Sequence, residues 1–523
     1  MTKATGKKML MLLLTAVLLF TIAAGCGNGN GNGGSNESNT EGSDSTNNSQ
    51  GSNQEEKEPF ELTIMANLHT PDVPSDKIEK ILEERTNTEL TFQWVPDGSY
   101  EEKLNAAFAT GSLPQAVYMK NQTTFAQFKD AMRDDQFWEV GPYLQDYEFL
   151  KNLNPDVLRN TMVDGKVYSL YQERPLSRQG VIWRKDWADK LGITQPPQTP
   201  DDLYQMMKKF KEEDPDGNGL DDTIGLADRS DLVYGAFKTV SSYFDTPNGW
   251  GELDGQLLPE FMHPGYMDTL DFFKKLYDEG LINQDFPVTS KTDQQDMIYT
   301  GKAGMYIGSI GDVLSLRDKT IEINPDAQFD VENRILGPDG QPGIWAIPGY
   351  GNMVMFPKSA VETEDELKQI LSFFNELMRP ENANLIKWGV EGEHYEVVDG
   401  KAKASEDSAK KEREVKPFEA LAIGGESTID MLGGHFPYEI KAKAEAKIIE
   451  ANDFLIHDPT APLDSPTYNE RGARLQELII DATYQYILGA IDEEGFNKAV
   501  DNWKDGGGDK IIEEYNAAYN ASK

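Results

Sequence analysis

Phe60-Glu61-Leu62-Thr63-Ile64-Met65-Ala66 alternates apolar side chains at Leu62, Ile64 and Ala66, and a two-residue period marks a strand with one buried face. The run breaks at Asn67-Leu68-His69-Thr70-Pro71, and Ile78, Ile81 and Leu82 follow at helical spacing. A second alternation, Leu90, Phe92 and Trp94, precedes a helix through Leu104 and Phe108, and Leu113-Pro114 leads into a strand at Ala116 to Met119. Strand, helix, strand, helix, strand is the order of a mostly parallel sheet covered by helices, an α/β fold. Ligands of such sheets sit beyond the carboxyl ends of the strands. The loops at Asn67 to Thr70 and Tyr118 to Thr123 are therefore predicted to wall a cleft, with Asn67, His69, Tyr118 and Asn121 as candidate contacts.

Downstream, Thr199-Pro200-Asp201-Asp202 sets an N-cap, an N1 proline and early acids before Leu203, Met206, Met207 and Phe210. Thr363 with Glu366 reads as a capping box, opening a helix whose apolar face is Leu367, Ile370, Leu371, Phe374, Leu377 and Met378. From Asp509, the residues Ile511, Ile512, Tyr515 and Tyr519 predict a last helix docked on the body.

At the other end, Lys3, Lys7 and Lys8 precede the apolar stretch Met9 to Phe20, a secretory signal predicted over residues 1–25. It falls short of the about twenty residues a membrane span needs. Ala23-Ala24-Gly25-Cys26 resembles a bacterial lipobox, with Ala23 where leucine is usual. Cys26, the only cysteine, is thus the candidate lipidation site, and a diacylglyceryl thioether there would anchor the chain where one acyl chain would not. With that thiol consumed no disulfide is available. Residues 26–59 are dominated by Gly, Asn, Ser and Glu, too polar to offset the entropy of ordering. They read as a tether spanning roughly 30 Å.

What remains is too long for one simple core. Its field is acidic: 89 Asp and Glu against 50 Lys and Arg give a net charge of -39, which excludes nucleic acid as a partner. The same field works against polyanionic sugars, except where a local basic pocket overrides it.

Four segments then occur in order: Val181-Ile182-Trp183-Arg184-Lys185-Asp186-Trp187-Ala188-Asp189-Lys190-Leu191-Gly192; Asp214-Pro215-Asp216-Gly217-Asn218-Gly219; Gly301-Lys302-Ala303-Gly304-Met305-Tyr306; and Gly389-Val390-Glu391-Gly392-Glu393-His394-Tyr395. Behind the lipobox, they resemble the family 1 extracellular solute-binding proteins, in the lipoprotein branch of sporulating Gram-positive bacteria. The likeness covers nearly the whole chain after the tether. It implies a type II periplasmic-binding-protein-like fold, two α/β lobes joined by a hinge, with lobe 1 at 60–175 plus 343–393 and lobe 2 at 176–342 plus 394–523. It implies a monomer that captures an oligosaccharide for an ABC permease powered by a separate ATPase and touches the membrane through its lipid alone. After Gly111-Ser112-Leu113-Pro114 the family usually carries an acid, where this chain has Gln115.

Sugar clefts need flat apolar faces for pyranose rings and polar groups for hydroxyls. Trp345 and Tyr350 lie in the predicted return crossing, Trp388 and Tyr395 flank the turn holding Glu391 and His394, and Tyr118 ends a strand; these are candidate contacts. Arg174 and Arg178 sit at the first crossing, where they meet either the ligand or surface acids. Trp250 belongs either to hairpin packing or to the cleft rim, whereas Trp183, Trp187 and Trp503 are predicted in the core. Asp214, Asp216, Asn218, Leu220 through its carbonyl, and Asp222 reproduce EF-hand spacing for a structural Ca2+, without the acid at the twelfth position, where Gly225 stands. Asp221 is a substitute ligand; the other reading is an Asp- and Gly-rich turn.

No helix pairs the five histidines for zinc, and Gly308-Ser309-Ile310-Gly311 has the wrong spacing for a nucleophile elbow. No catalytic residue or organic cofactor is predicted. A secreted polysaccharide hydrolase or lyase stands as the alternative, because two opposed carboxylates leave no linear signature. A peptide-binding lipoprotein is the third reading.

Overall fold

The computed structural model describes residues 58–70 and 72–522; the signal segment, Cys26 and nearly all of the tether lie outside the described residues. Strands β1 (Phe60–Leu68), β2 (Thr88–Pro96), β3 (Ala116–Met119), β4 (Ser169–Glu173), β5 (Gln179–Arg184), β6 (Ile224–Ala227), β7 (Ala303–Ser309), β8 (Phe329–Glu332) and β9 (Tyr350–Met355) build two sheets. The first has the order β2-β1-β3-β9-β4 and the second β8-β5-β7-β6.

The opening alternation folds as read, with β1 and β2 parallel and in unbroken register from Phe60 opposite Thr88 to Leu68 opposite Pro96. Beyond Ile64, however, β1 is buried on both faces, Met65, Ala66 and Asn67 included, as expected of a central strand between helical layers. The sheets are also more mixed than the alternation predicts: β9 runs antiparallel to β3 and β4, and β5 antiparallel to β7 and β8. These two strands enter from the other sheet, so the βαβ crossover that forces parallel neighbours does not govern them.

Each sheet has its own core. Leu62, Ile64, Leu104, Val354, Phe374 and Leu421 belong to one buried cluster; Trp187, Phe210, Leu226, Phe273, Trp503 and Tyr515 belong to another. The helix Pro200–Glu212 starts on the full capping box of Thr199 and Asp202. Thr363 caps Glu364–Leu377 by accepting the Glu366 N–H at 3.2 Å, but the Glu366 carboxylate goes elsewhere. It accepts the Glu362 N–H and the Gln115 amide at 2.8 Å, while the Gln115 oxygen accepts the N–H and hydroxyl of Thr63. Gln115 is thus a brace between β1 and a helix, where an acid would face Glu366. The last helix, Asp509–Ser522, buries Ile511 and Tyr515 as expected.

The chain passes between the sheets first through residues 174–178, from β4 to β5. It returns through 346–349 into β9, and the two crossings are zipped by Ile347 N–H to Leu176 O (2.8 Å) and Arg174 N–H to Gly349 O (2.9 Å). Gly349 has φ +86°, and a Cβ there would meet Leu176 at 2.5 Å and Val157 at 2.8 Å, so this position requires glycine. The third passage comes later than the expected boundary after residue 393. Phe418, Leu421, Ile423 and Ile429 are buried in the first cluster, and Gly424 pairs with the free edge of β4 through Tyr171 and Glu173. Only from Glu439–Glu450, which buries Ala444 and Ile448 beside β8, does the chain join the second sheet. The hairpin at 395–404 and the segment beyond it stay behind because the first sheet needs a cover for its β4 edge. Among the described residues no helix is long and apolar enough to cross a membrane.

The Gly304 position of β7 tests this packing. A Cβ would fall 2.3 Å from Phe210 and 2.8 Å from Trp187, both inside the core. Gly304→Ala should therefore destabilise the fold by about 1–3 kcal/mol, read as a lower urea midpoint with unchanged slope.

Candidate functional site

The topology aims both sheets at the crossings. The carboxyl ends of β1, β3 and β4 and the start of β9 share one edge of the first sheet; Tyr350 lies opposite Glu173. In the second sheet, the ends of β6 and β7 lie beside the start of β5, with Ser309 opposite Gln179. The crossing at 174–178 connects these two edges, so groups on them face a common cleft.

On the first edge, Asn67 is wholly buried and structural. Its amide donates to Asp97 at 3.1 Å and its oxygen accepts from Asn352 at 3.3 Å, tying β1 to β9. His69 stays exposed beside Asp97. Tyr118 does not line the cleft: it is fully buried and donates to Leu421 O at 3.2 Å, holding the late segment on the sheet. Asn121 is exposed and caps the short helix Gln122–Ala126 through the Thr124 N–H. Tyr350 is half-buried, with no hydrogen bond from its hydroxyl among the described residues; burial pushes its pKa up. Arg174 is exposed.

On the second edge, Trp345 lies inside the body, donating its indole N–H to Thr239 at 3.1 Å. Its neighbour Tyr234, with ring centroids 5.7 Å apart, is 50% exposed and is an aromatic face that the sequence reading missed. The loop carrying it follows β6, where the carboxyl-end rule would have found it. Arg229 donates to the Tyr234 carbonyl and to Gln294 and meets Asp231, whose carboxylate accepts the N–H groups of Val233 and Tyr234. Trp250 packs on Tyr515 at 4.9 Å, the hairpin reading and not the rim. A hollow walled by Leu144, Leu150, Leu158 and Val167 opens elsewhere, and no crossing residue lines it.

The turn at Glu391 to Tyr395 is a brace. His394 is buried; its Nδ1 accepts the Val390 N–H at 3.0 Å, which leaves the proton on Nε2, facing Glu414 at 3.3 Å. Glu393, His394 and Glu414 bring ligand atoms within 4.8 Å of one another, a spacing a metal would accept. Lys410 and Lys77 already occupy that position and hold the Glu393 carboxyl down to about 2, and Lys77 also meets Glu414. Tyr395 is buried, and Glu391 is exposed on the bridge to it. Trp388 is half-buried, donates to Leu432 O at 2.9 Å and has the ammoniums of Lys411 and Lys387 over its ring at 4.5 and 5.3 Å.

The acidic loop is compact. Asp214 accepts the Gly217 and Gly219 N–H groups, and the Asp216 and Asp222 carboxylates converge on the Asn218 amide at 2.8 and 3.1 Å. Burial, with Asp222 and Asp214 nearby, raises the Asp216 pKa. Leu220 donates its N–H to the Asn218 oxygen; Asp221 turns away to Lys211, and Thr223 gives its hydroxyl to Phe210 O.

Asp228, just past β6, is 2% exposed, and burial raises its carboxyl to about 7 although it accepts the Ala236 N–H. An acid with a raised folded-state pKa contributes fully below its unfolded pKa of about 4 and loses that contribution as pH rises to about 7. Asp228→Asn should flatten the decline in stability across this window, measured as urea midpoints at successive pH values.

Residues 72–384 match the sequence profile of a family described as "Bacterial extracellular solute-binding protein". The chain is 42% identical over 466 residues to the "Polygalacturonan/rhamnogalacturonan-binding protein YtcQ" of Bacillus subtilis (strain 168), covering 88% of this chain and 92% of that one. It is 36% identical over 474 residues to "Lipoprotein LipO" of the same organism, covering 88% and 93%. Among solved structures, an "HMO binding ABC-transporter associated Solute Binding Protein" from Bifidobacterium longum infantis superposes with a TM-score of 0.69 at 17% identity, over 89% of this chain and 99% of that one. The Streptococcus pneumoniae substrate-binding protein FusA with kestose gives 0.61 at 17% identity, over 88% and 99%. At such identity these two show the fold: two lobes joined by crossing segments.

Proposed function

This chain belongs to the bacterial extracellular solute-binding proteins, and we propose that within the family it captures an oligosaccharide between its lobes and delivers it to an ABC permease driven by a separate ATPase. Membership makes it a binding protein, not an enzyme, which sets aside the hydrolase or lyase alternative. The observation that carries the proposal is the pairing of partly open aromatic faces, Tyr350 on the first lobe and Tyr234 on the second, on edges that the first crossing connects. Flat rings of this kind stack on pyranoses, and a ligand touching both lobes stabilises the closed state by its contacts to each. The relatives' names support a carbohydrate, since YtcQ is named for polygalacturonan and rhamnogalacturonan and FusA for fructooligosaccharide. They name different sugars, so the cleft's own residues decide which one this chain takes. Attachment at Cys26 to the outer face of the membrane accords with the lipoprotein relative.

Thermal-shift screening against oligosaccharides and peptides tests this reading. A selective rise with sugars is expected; a rise with peptides alone would reverse the proposal. Tyr234→Ala should weaken the sugar that binds by about tenfold with little change in the melting temperature of the free protein, since the ring is half exposed.

The acidic loop carries the oxygen donors for a structural Ca2+ at EF-hand spacing: Asp214, Asp216 and Asp222 are offset only by amide N–H groups, and a cation would displace the Asn218 NH2 that stands between Asp216 and Asp222 and turn the Asn218 oxygen inward from Leu220. A solved relative is described as an "EF-hand mutant" of FusA. EGTA should lower the melting temperature by a few degrees and Ca2+ restore it, an effect absent in Asp222→Asn. An unchanged melt would leave the loop as a hydrogen-bonded turn.

A further inference from the structure

In a chain of net charge -39 most cations meet a carboxylate, as Arg133, Arg184, Arg229, Arg334 and Arg379 do. Arg174 and Arg178, on the crossing that joins the two cleft edges, do not. Neither guanidinium has an ion pair or a hydrogen bond among the described residues, and both are exposed. They stand close enough that Arg178, after burial, helps lower the pKa of Arg174. Two arginines held together with no carboxylate in contact repel, and such an arrangement is stabilised when a ligand brings an anion between them.

Their surroundings are built to keep them in place. A Cβ on Gly351 would fall 2.7 Å from Arg174 Nε and 2.7 Å from Gln172 Oε1, so the bare backbone of β9 is the bed on which both side chains lie. The Gln172 amide donates to Glu419 O at 2.9 Å, which leaves its buried oxygen without a partner. The oxygen of Gln179, a residue 6% exposed at the far end of the crossing, lacks one as well. Nearby on the first lobe, Lys411 lies over Trp388 with no carboxylate in contact, and burial lowers its pKa. Glu419 is the counter-charge shared by Arg174, Lys411 and Lys416. Glu173 offers little more, since burial raises its pKa and the hydroxyls of Ser427 and Thr428 satisfy it.

We propose that the ligand is an acidic oligosaccharide, with a uronate carboxylate held between Arg174 and Arg178 and a further carboxylate near Lys411. The cations call for negative charge, and the open aromatic faces of Tyr234 and Tyr350 call for a pyranose ring, which an inorganic anion lacks. This rests on the capture reading above and reverses the expectation that the global field disfavours polyanionic sugars. The basic crossing is the local exception.

Calorimetry on the mature chain with trigalacturonate, its fully methyl-esterified form and neutral galactotriose tests the proposal. Trigalacturonate should bind, the ester and galactotriose at least about tenfold more weakly, and the preference should shrink with added salt. Arg174→Gln and Arg178→Gln should each weaken trigalacturonate by about tenfold or more while melting like the parent, and Arg474→Gln, on an exposed helix face, should change nothing. If ester and acid bind alike, or the arginine variants bind as the parent does, the acidic-ligand proposal is overturned and capture stands. If no sugar of any charge binds, the capture reading falls and takes this proposal with it.

Discussion

Two backbone hydrogen bonds, Ile347 to Leu176 and Arg174 to Gly349, join the first two passages between the sheets, and the rest of the arrangement depends on them. They fix where β4 ends and β5 and β9 begin, and so which strand ends face one another. The positive φ of Gly349 and its contact with Leu176 and Val157 make this junction possible only for a residue without a side chain. Each lobe closes its own core on its own side of the junction, so the cleft lies between two stable bodies and is free to change shape without cost to either core.

Electrostatics divides in the same way. The acidic surface keeps the molecule away from polyanions at a distance, yet that field is an average, and charges within a few ångströms of a ligand outweigh it. Where carboxylates threaten the fold they are met at once, as Glu393 is by Lys410 and Lys77. Arg174 and Arg178, which have no carboxylate in contact, lie on the crossing. The buried amide oxygens of Gln172 and Gln179, which lack partners, lie at the two ends of the same crossing.

Much of the fold was legible in the sequence because it rests on local signals. The alternation at Leu62 and Ile64, the N-cap of Thr199 and the amphipathic last helix depend on residues a few positions apart, and all three formed as read. The candidate site was less legible. Whether Trp345 is exposed depends on Thr239, and whether Trp250 is exposed depends on Tyr515, partners far away in the chain. Tyr118 and His394 are polar residues at plausible cleft positions that the fold uses as internal fasteners. Conversely, the two glutamines carried no linear signal, since only the closing of the crossings gives them their positions, and Tyr234 carried only that of its place in the loop after β6. Gln115 shows the same limit: its departure from the family pattern did not reveal its role, and it is a strut to Glu366.

The third passage differs from the other two. The backbone N–H of His435 still bonds to Ala402, on the first lobe, and the helix of the second lobe begins at Glu439. Only a few residues around Pro437 are left to span the gap, and among the described residues no backbone hydrogen bond ties them to the zipped passages. A joint made this way has an axle and a strap: rotation runs along the stiff zipped pair, while the short free strap sets how far the halves can swing apart.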